Sequence, residues 1–224
     1  RVTAADWIEA SQCWQVQTDS GETYTTRFLV SCTGMLSAPQ VPPFPGHEKF
    51  GGQLVHTARY PQEGIDLAGK RVGVIGCGAT GIQVIQTIAS EVGELKVFQR
   101  TPSYAVAMRN YDFDDAERDH WRAKAPELEE TVHHTFGGFV FDAVHDSWFD
   151  VDQAERERVL EDRWADGSLA MWSGTFPEVL MDQDVNDQVS EFVRAKIRPK
   201  IDDPETAEKL MPRTYGFGTH RVPL

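Results

Sequence analysis

Cysteine is scarce in this chain of 224 residues: Cys13, Cys32 and Cys77 are scattered, and no two form a Cys-x-x-Cys pair. Neither a disulfide framework nor a zinc site follows from that spacing, no metal is expected, and a reducing cytoplasmic setting fits it best. Basic residues are outnumbered, 22 Lys and Arg against 35 Asp and Glu, which leaves a net charge of −13. No basic stretch rises above this acidic field, so a nucleic-acid partner is not expected. Long apolar runs are missing too. None is long enough to span a membrane, no signal peptide is visible, and no membrane partner is expected. The chain begins at Arg1 without Met and ends at Leu224 with no tapering tail, which predicts a piece of a longer protein.

What the chain does have is a glycine-rich turn in a telling context. A short apolar run, Val72 to Ile75, reads as a buried parallel strand, and Gly-x-Gly-x-x-Gly follows at once at Gly76, Gly78 and Gly81. A helical pattern comes next, with Ile82, Ile85, Ile88, Ala89 and Val92 on one face, and then a second strand over Leu95 to Gln99. Gly76 allows the tight turn, Gly78 lets the backbone approach a pyrophosphate, and Gly81 lets helix and strand pack closely. The helix N-terminus adds free N–H groups and the positive end of its dipole. A lone glycine motif is weak evidence, but strand before, helix after and a second strand make it a dinucleotide site.

The end of the second strand points to the cofactor. An NAD site places Asp or Glu there, about 20 residues on, to hold the ribose 2′-hydroxyl. Here Arg100 and Thr101 stand in that place. A guanidinium and a hydroxyl suit a 2′-phosphate, so NADP is expected; the bland alternative is a surface arginine that ends a strand.

Elsewhere the pattern is coarser. Cys13 to Thr18 alternates, residues 19–22 form a turn, and Thr23 to Cys32 is a second β-rich run, together a hairpin. Pro39, Pro42, Pro43 and Pro45 make a stiff crossing and a domain boundary. His56 lies on a loop just before the glycine-motif strand, where a structural hydrogen-bonding role is the default. From Asn110 to about Trp172 the pattern turns helical and acidic, and Trp121, Phe136, Phe139, Phe141, Trp148, Phe149 and Trp164 read as core. Gly137 and Gly138 break or bend a helix there, and His133, His134 and His145 are surface or packing residues. Val185 to Ile201 reads as an amphipathic helix, and residues 202–204 stop it and start a short one over Glu205 to Leu210. The Pro- and Gly-rich end, residues 211–224, is a loop.

Several stretches together resemble the Baeyer–Villiger monooxygenases, a family of class B flavoproteins. That family's fingerprint is Phe-x-Gly-x-x-x-His-x-x-x-Trp followed by Pro or Asp; Phe50, Gly52, His56 and Pro61 match it, and Tyr60 stands where Trp is usual. The stretch Gly76, Cys77, Gly78, Ala79, Thr80, Gly81, Ile82, Gln83 and the run Gln99 to Pro102 look like its NADP site. Residues 218–224 are similar to its active-site arginine loop.

The resemblance implies an α/β fold: a Rossmann-like NADP-binding domain with a helical insertion, plus a β-hairpin remnant of an FAD-binding domain. The expected parcels are the β portion and Pro-rich linker (1–47), the fingerprint loop and NADP core (48–109), the helical insertion (110–184), and the return ending in the arginine loop (185–224). It implies NADPH and FAD as cofactors, with FAD held mostly by segments of the same protein outside this chain. A ketone and O₂ are the implied substrates, one oxygen atom being inserted beside the carbonyl to give an ester or lactone. Arg221 is implied as the catalytic arginine, whose permanent charge stabilises anionic oxygen, including that developing on the ketone. Ala79, Thr80, Gln83 and His220 are implied at the NADP site; His220 replaces the usual Lys, which predicts a weaker or pH-dependent NADP preference. His56 and the fingerprint loop are implied to couple domain movement to catalysis rather than to react. Two alternatives stay open: a related enzyme oxidising nitrogen or sulfur, kept alive by Tyr60, and an NADP-binding module without turnover.

Overall fold

The structure is a computed structural model and describes residues 1–34 and 38–219. It divides into two units, Arg1–Glu63 and Gly64 onward.

The first unit is built on an antiparallel meander of β1 (Val2–Ile8), β2 (Cys13–Thr18) and β3 (Thr23–Thr26). The register sets Trp7 opposite Trp14, and their rings meet edge to face at 5.6 Å. The tight β1–β2 turn puts Gln12 in the left-handed region at φ 51°, where its side-chain amide reaches back to the Glu9 carboxylate at 2.9 Å. The expected hairpin is therefore present, with β1 as a strand that periodicity did not reveal. The second run is shorter than expected: β3 stops at Thr26 rather than reaching Cys32. There the Thr26 hydroxyl accepts from the Phe28 N–H at 3.3 Å, a local bond that competes with the ladder. Val30 beyond it is 81% exposed.

The second unit opens with a β–α–β unit. β4 (Arg71–Ile75) and β5 (Glu94–Phe98) pair in parallel from Arg71↔Glu94 to Ile75↔Phe98, and α1 (Ala79–Ile88) joins them, burying Ile88. This is the Rossmann-like part of an α/β fold, within one residue of the expected strand bounds.

Helices follow: α2 (Asp115–His134), α3 (Gln153–Asp166), α4 (Ala170–Ser173), α5 (Gln183–Ile197) and α6 (Pro204–Leu210). Asp side chains cap four of them: Asp114, Asp152, Asp182 and Asp203 each accept a backbone N–H from the first turn. α2 ends at His134, before Gly137 and Gly138. The helix expected to reach Ile201 ends at Ile197 and tightens into a 3₁₀ turn over Arg198–Lys200. Pro199 is the cause, since it offers no N–H to the helical ladder.

The core of this unit lies among the helices. Val159 and Leu160 from α3 and Val185, Val189 and Val193 from α5 pack with Tyr104, Trp148, Met171, Phe176 and Phe217. The aromatic stripe was expected to be core and is so only in part. Trp148 is buried and Trp164 packs against the core, but Trp121, Phe149 and Phe136 are exposed, the last by 82%. Phe136 falls just past the end of α2, a helix that buries no residue at all, so helical spacing there has no core to face. Among the described residues no helix is long and apolar enough to cross a membrane.

Candidate dinucleotide site

The glycine turn has the geometry that a pyrophosphate needs. Gly76 adopts φ 100°, which an L side chain rarely takes, and its N–H donates to the Phe98 carbonyl at 2.9 Å, tying the turn to β5. A β-carbon on Gly81 would lie 2.3 Å from the Gly76 carbonyl oxygen, so only glycine lets α1 start this close to the strand. Gly78 is different. Its backbone is extended, and a β-carbon there would meet nothing within 4 Å, so open space faces the turn. Gly78 is also the N-cap of α1, with no side chain capping the helix, which leaves the first-turn N–H groups free for an anion. Thr80 is exposed on that first turn and Gln83 just beyond it, and Ala79 is half-buried. An open cradle, uncapped N–H donors and no acid beside them fit a dinucleotide.

Arg100 and Thr101 follow β5 directly. Arg100 is exposed and makes no hydrogen bond or ion pair among the described residues, so its guanidinium is available. Three side-chain hydrogen bonds tie the turn beneath it. The Gln99 side-chain amide donates to the Lys209 carbonyl at 2.7 Å. The buried Cys77 thiol donates to the Thr101 carbonyl at 3.1 Å, joining the glycine turn to the Arg100 turn. The Tyr215 hydroxyl donates to the Pro102 carbonyl at 2.8 Å. Burial pushes the Tyr215 phenol up from its ordinary value and keeps it a donor. Cys77 and Tyr215 escape a sequence reading: one is a variable position inside a motif, and the other lies 113 residues from its partner.

The segment leading to the expected arginine loop is anchored in the helical core. Asn186 on α5 donates to the carbonyls of Phe217 at 2.8 Å and Val179 at 2.6 Å. The Phe217 N–H donates to the Ser190 hydroxyl at 2.8 Å, and the Trp172 indole donates to the Gly218 carbonyl at 3.2 Å. His220 and Arg221 lie outside the described residues.

The fingerprint residues belong to the first unit. His56 caps a 3₁₀ turn over Thr57–Arg59, its Nδ1 accepting from the Ala58 N–H at 3.2 Å. An accepting Nδ1 leaves any ring proton of the neutral imidazole on Nε2. Phe50 and Tyr60 are exposed, Pro61 is half-buried, and Gly52 lies under the Phe50 ring, 2.8 Å from where its β-carbon would stand.

Other polar groups are structural. The His145 Nε2–H donates to the Glu155 carboxylate at 2.7 Å and the ring stacks on Phe176, and His134 pairs with Glu130. Arg158, then His145, hold the Glu155 carboxyl down to about 2. No group of three or more His, Cys, Asp or Glu among the described residues is placed to hold a metal. A shallow groove of about 290 Å³ between Trp148, Arg156, Gln188 and Phe192 shares no residue with the glycine turn.

Comparison with known proteins gives the chain's relatives. Residues 2–113 match the family model described as flavin-binding monooxygenase-like. The chain is 52% identical over 223 residues to an acetone monooxygenase (methyl acetate-forming) of Gordonia sp. strain TY-5, covering all of this chain and 42% of that protein. A crystal structure of OTEMO in complex with FAD and NADP superposes with a TM-score of 0.92 at 38% identity, covering all of this chain and 43% of that one. A cyclohexanone monooxygenase from Rhodococcus sp. Phi1 bound to NADP⁺ gives 0.87 at 38% identity, covering 100% and 42%. The chain thus spans about two fifths of the length of the relatives it matches.

Proposed function

The chain belongs to the flavin-binding monooxygenase-like family, and from that premise we propose that it supplies the NADP-binding part of an FAD- and NADPH-dependent Baeyer–Villiger monooxygenase. The whole enzyme, working in the cytoplasm, inserts one oxygen atom of O₂ beside a ketone carbonyl to give an ester or lactone. The observation that carries this reading is the glycine turn. Its cradle is open at Gly78, and Arg100 and Thr101 lie where an NAD site would carry an acid.

When bound, the flavin and the nicotinamide supply the electron transfer and the activation of oxygen. The chain's residues do the rest. Gly76, Gly78, Ala79, Thr80, Gly81 and Gln83 hold the pyrophosphate end of the nucleotide at the start of α1. Arg100 and Thr101 take the 2′-phosphate, joined by His220 when its imidazole is protonated. Arg221 provides a permanent cation that stabilises charge developing on the ketone oxygen. The fingerprint residues Phe50, Gly52, His56, Tyr60 and Pro61 form a loop that follows domain movement. On this reading residues 48–109 are the fingerprint loop and NADP core, 110–184 an insertion and 185–224 the return.

Tyr60 in place of Trp favours one other reading, oxidation of nitrogen or sulfur by the same cofactors. Product analysis separates the two. The full-length protein, given NADPH, O₂ and a small ketone, an amine or a thioether in turn, is expected to convert the ketone to its ester. Formation of N-oxide or sulfoxide with no ester would replace the first reading by the second.

A further inference from the structure

We propose that Tyr215 is a positioning residue for cofactor discrimination, its hydroxyl holding the turn that carries Arg100 in the attitude that meets a 2′-phosphate. The inference rests on the NADP reading above and concerns a residue outside the glycine motif.

Two consecutive carbonyls in that turn, Thr101 and Pro102, each accept from a side chain brought in from a different part of the unit. Cys77 comes from the glycine turn at 3.1 Å and Tyr215 from the segment after α6 at 2.8 Å. With the Phe98 carbonyl accepting from the Gly76 N–H at 2.9 Å on the other side, Arg100 is the exposed side chain of a turn whose flanking backbone carbonyls are held before and after it. A guanidinium on a fixed turn loses less conformational freedom when it binds than one on a loose turn.

The direction of the bonds places Tyr215 in this role. Arg194 has donors only, and its Nη1 donates to the Tyr104 oxygen at 2.6 Å. The single proton of Tyr104 is then free for the Tyr215 carbonyl at 3.1 Å, and the single proton of Tyr215 goes to Pro102. Both hydroxyl protons are thus committed, that of Tyr104 to the Tyr215 backbone carbonyl and that of Tyr215 to Pro102, so the Tyr215 hydroxyl acts on the Arg100 turn as a donor. Tyr104 is buried and its ring meets that of Tyr215 edge to face at 5.4 Å, so the Tyr215 ring is placed independently of its hydroxyl. Tyr215→Phe therefore removes the donor to Pro102, together with the hydroxyl's hydrogen bond to Ser103, and leaves the ring packing.

The test is a set of dissociation constants for NADP⁺ and NAD⁺, measured by calorimetry on the full-length protein, for the wild type, Tyr215→Phe, Arg100→Ala and the double variant. Tyr215→Phe is expected to weaken NADP⁺ by about two- to tenfold, the scale of one neutral hydrogen bond, and to leave NAD⁺ unchanged. In the Arg100→Ala background it is expected to add nothing for NADP⁺, because it acts through that arginine. Equal weakening of both nucleotides would reduce Tyr215 to a packing residue and overturn the proposal, as would an unchanged NADP⁺ constant or an undiminished loss on top of Arg100→Ala. The two readings fail separately. If Arg100→Ala removes the NADP⁺ preference and Tyr215→Phe does not, the positioning role alone is wrong. If Arg100→Ala leaves the preference intact, the 2′-phosphate assignment is wrong and the positioning role goes with it.

Discussion

Gly81 and the Gly76 carbonyl stand so close that a β-carbon on Gly81 would lie 2.3 Å from that oxygen. This contact sets the entry of α1 onto β4. The atoms opposing a side chain there are backbone and cannot rotate away. Gly81→Ala is expected to force the turn apart and to destabilise the protein by about 1–3 kcal/mol, the usual cost of overpacking.

Gly78→Ala should behave in the opposite way. Its backbone is in a region open to any residue and its β-carbon would meet nothing, so folding should be unaffected or slightly helped. The methyl group would instead occupy the cradle. A clash of about 1–3 kcal/mol with the pyrophosphate corresponds to roughly a five- to 150-fold weaker NADP⁺ constant. Thermal melts and calorimetry on the two variants check both halves. A destabilised Gly78→Ala protein with normal NADP⁺ affinity would reverse the assignment.

Asn186 joins α5 to the segment that runs toward Arg221. It is buried, donates to two carbonyls and accepts from the Ser190 hydroxyl at 3.1 Å. Asn186→Ala leaves those groups dry and is expected to cost about 2–4 kcal/mol. Asn186→Asp keeps the volume but turns acceptors toward both carbonyls, and should not rescue it. Chemical denaturation followed by tryptophan fluorescence would detect the loss; an unchanged midpoint for Asn186→Ala would show the network to be idle.

Glu155 gives the fold an acid-sensitive contact. Arg158 and His145 hold its carboxyl down to about 2, against about 4.3 for an unperturbed glutamate. The folded state therefore binds that proton less readily than the unfolded chain. The stabilisation is complete above the unfolded value and is lost as pH falls from there toward 2. The melting temperature of Glu155→Gln should lie below wild type near pH 6, and the gap should narrow toward pH 3. A gap that stays constant across that range would remove Glu155 from the account.

Much of the candidate site's local structure was legible because its signals are local. The glycine spacing, the apolar runs on either side and the Arg100–Thr101 pair occupy some 30 consecutive residues, and both strands were read to within one residue of β4 and β5. The start of α6 at Pro204 was equally local, with Asp203 as its cap. Three other capping aspartates, Asp114, Asp152 and Asp182, carried the same signal and were passed over. What stayed hidden depends on partners distant in sequence. β1 buries no residue and so shows no period, and its strand character comes from pairing with β2. Phe136 and Trp148 look alike in sequence, yet one faces solvent and the other Phe176 at 5.0 Å between rings. The bond from Tyr215 to Pro102 exists only once the helices have packed.

The most direct test of the account is the effect of Arg100→Ala on nucleotide binding by the full-length protein. Arg100 is exposed and makes no hydrogen bond or ion pair among the described residues, so its removal breaks none of those bonds. If it grips the 2′-phosphate, calorimetry should show NADP⁺ binding weakened by about 1.5–3 kcal/mol, the worth of a charge-assisted hydrogen bond, with NAD⁺ binding nearly unchanged. Equal losses for the two nucleotides, or none for either, would contradict the claim that this turn recognises NADP.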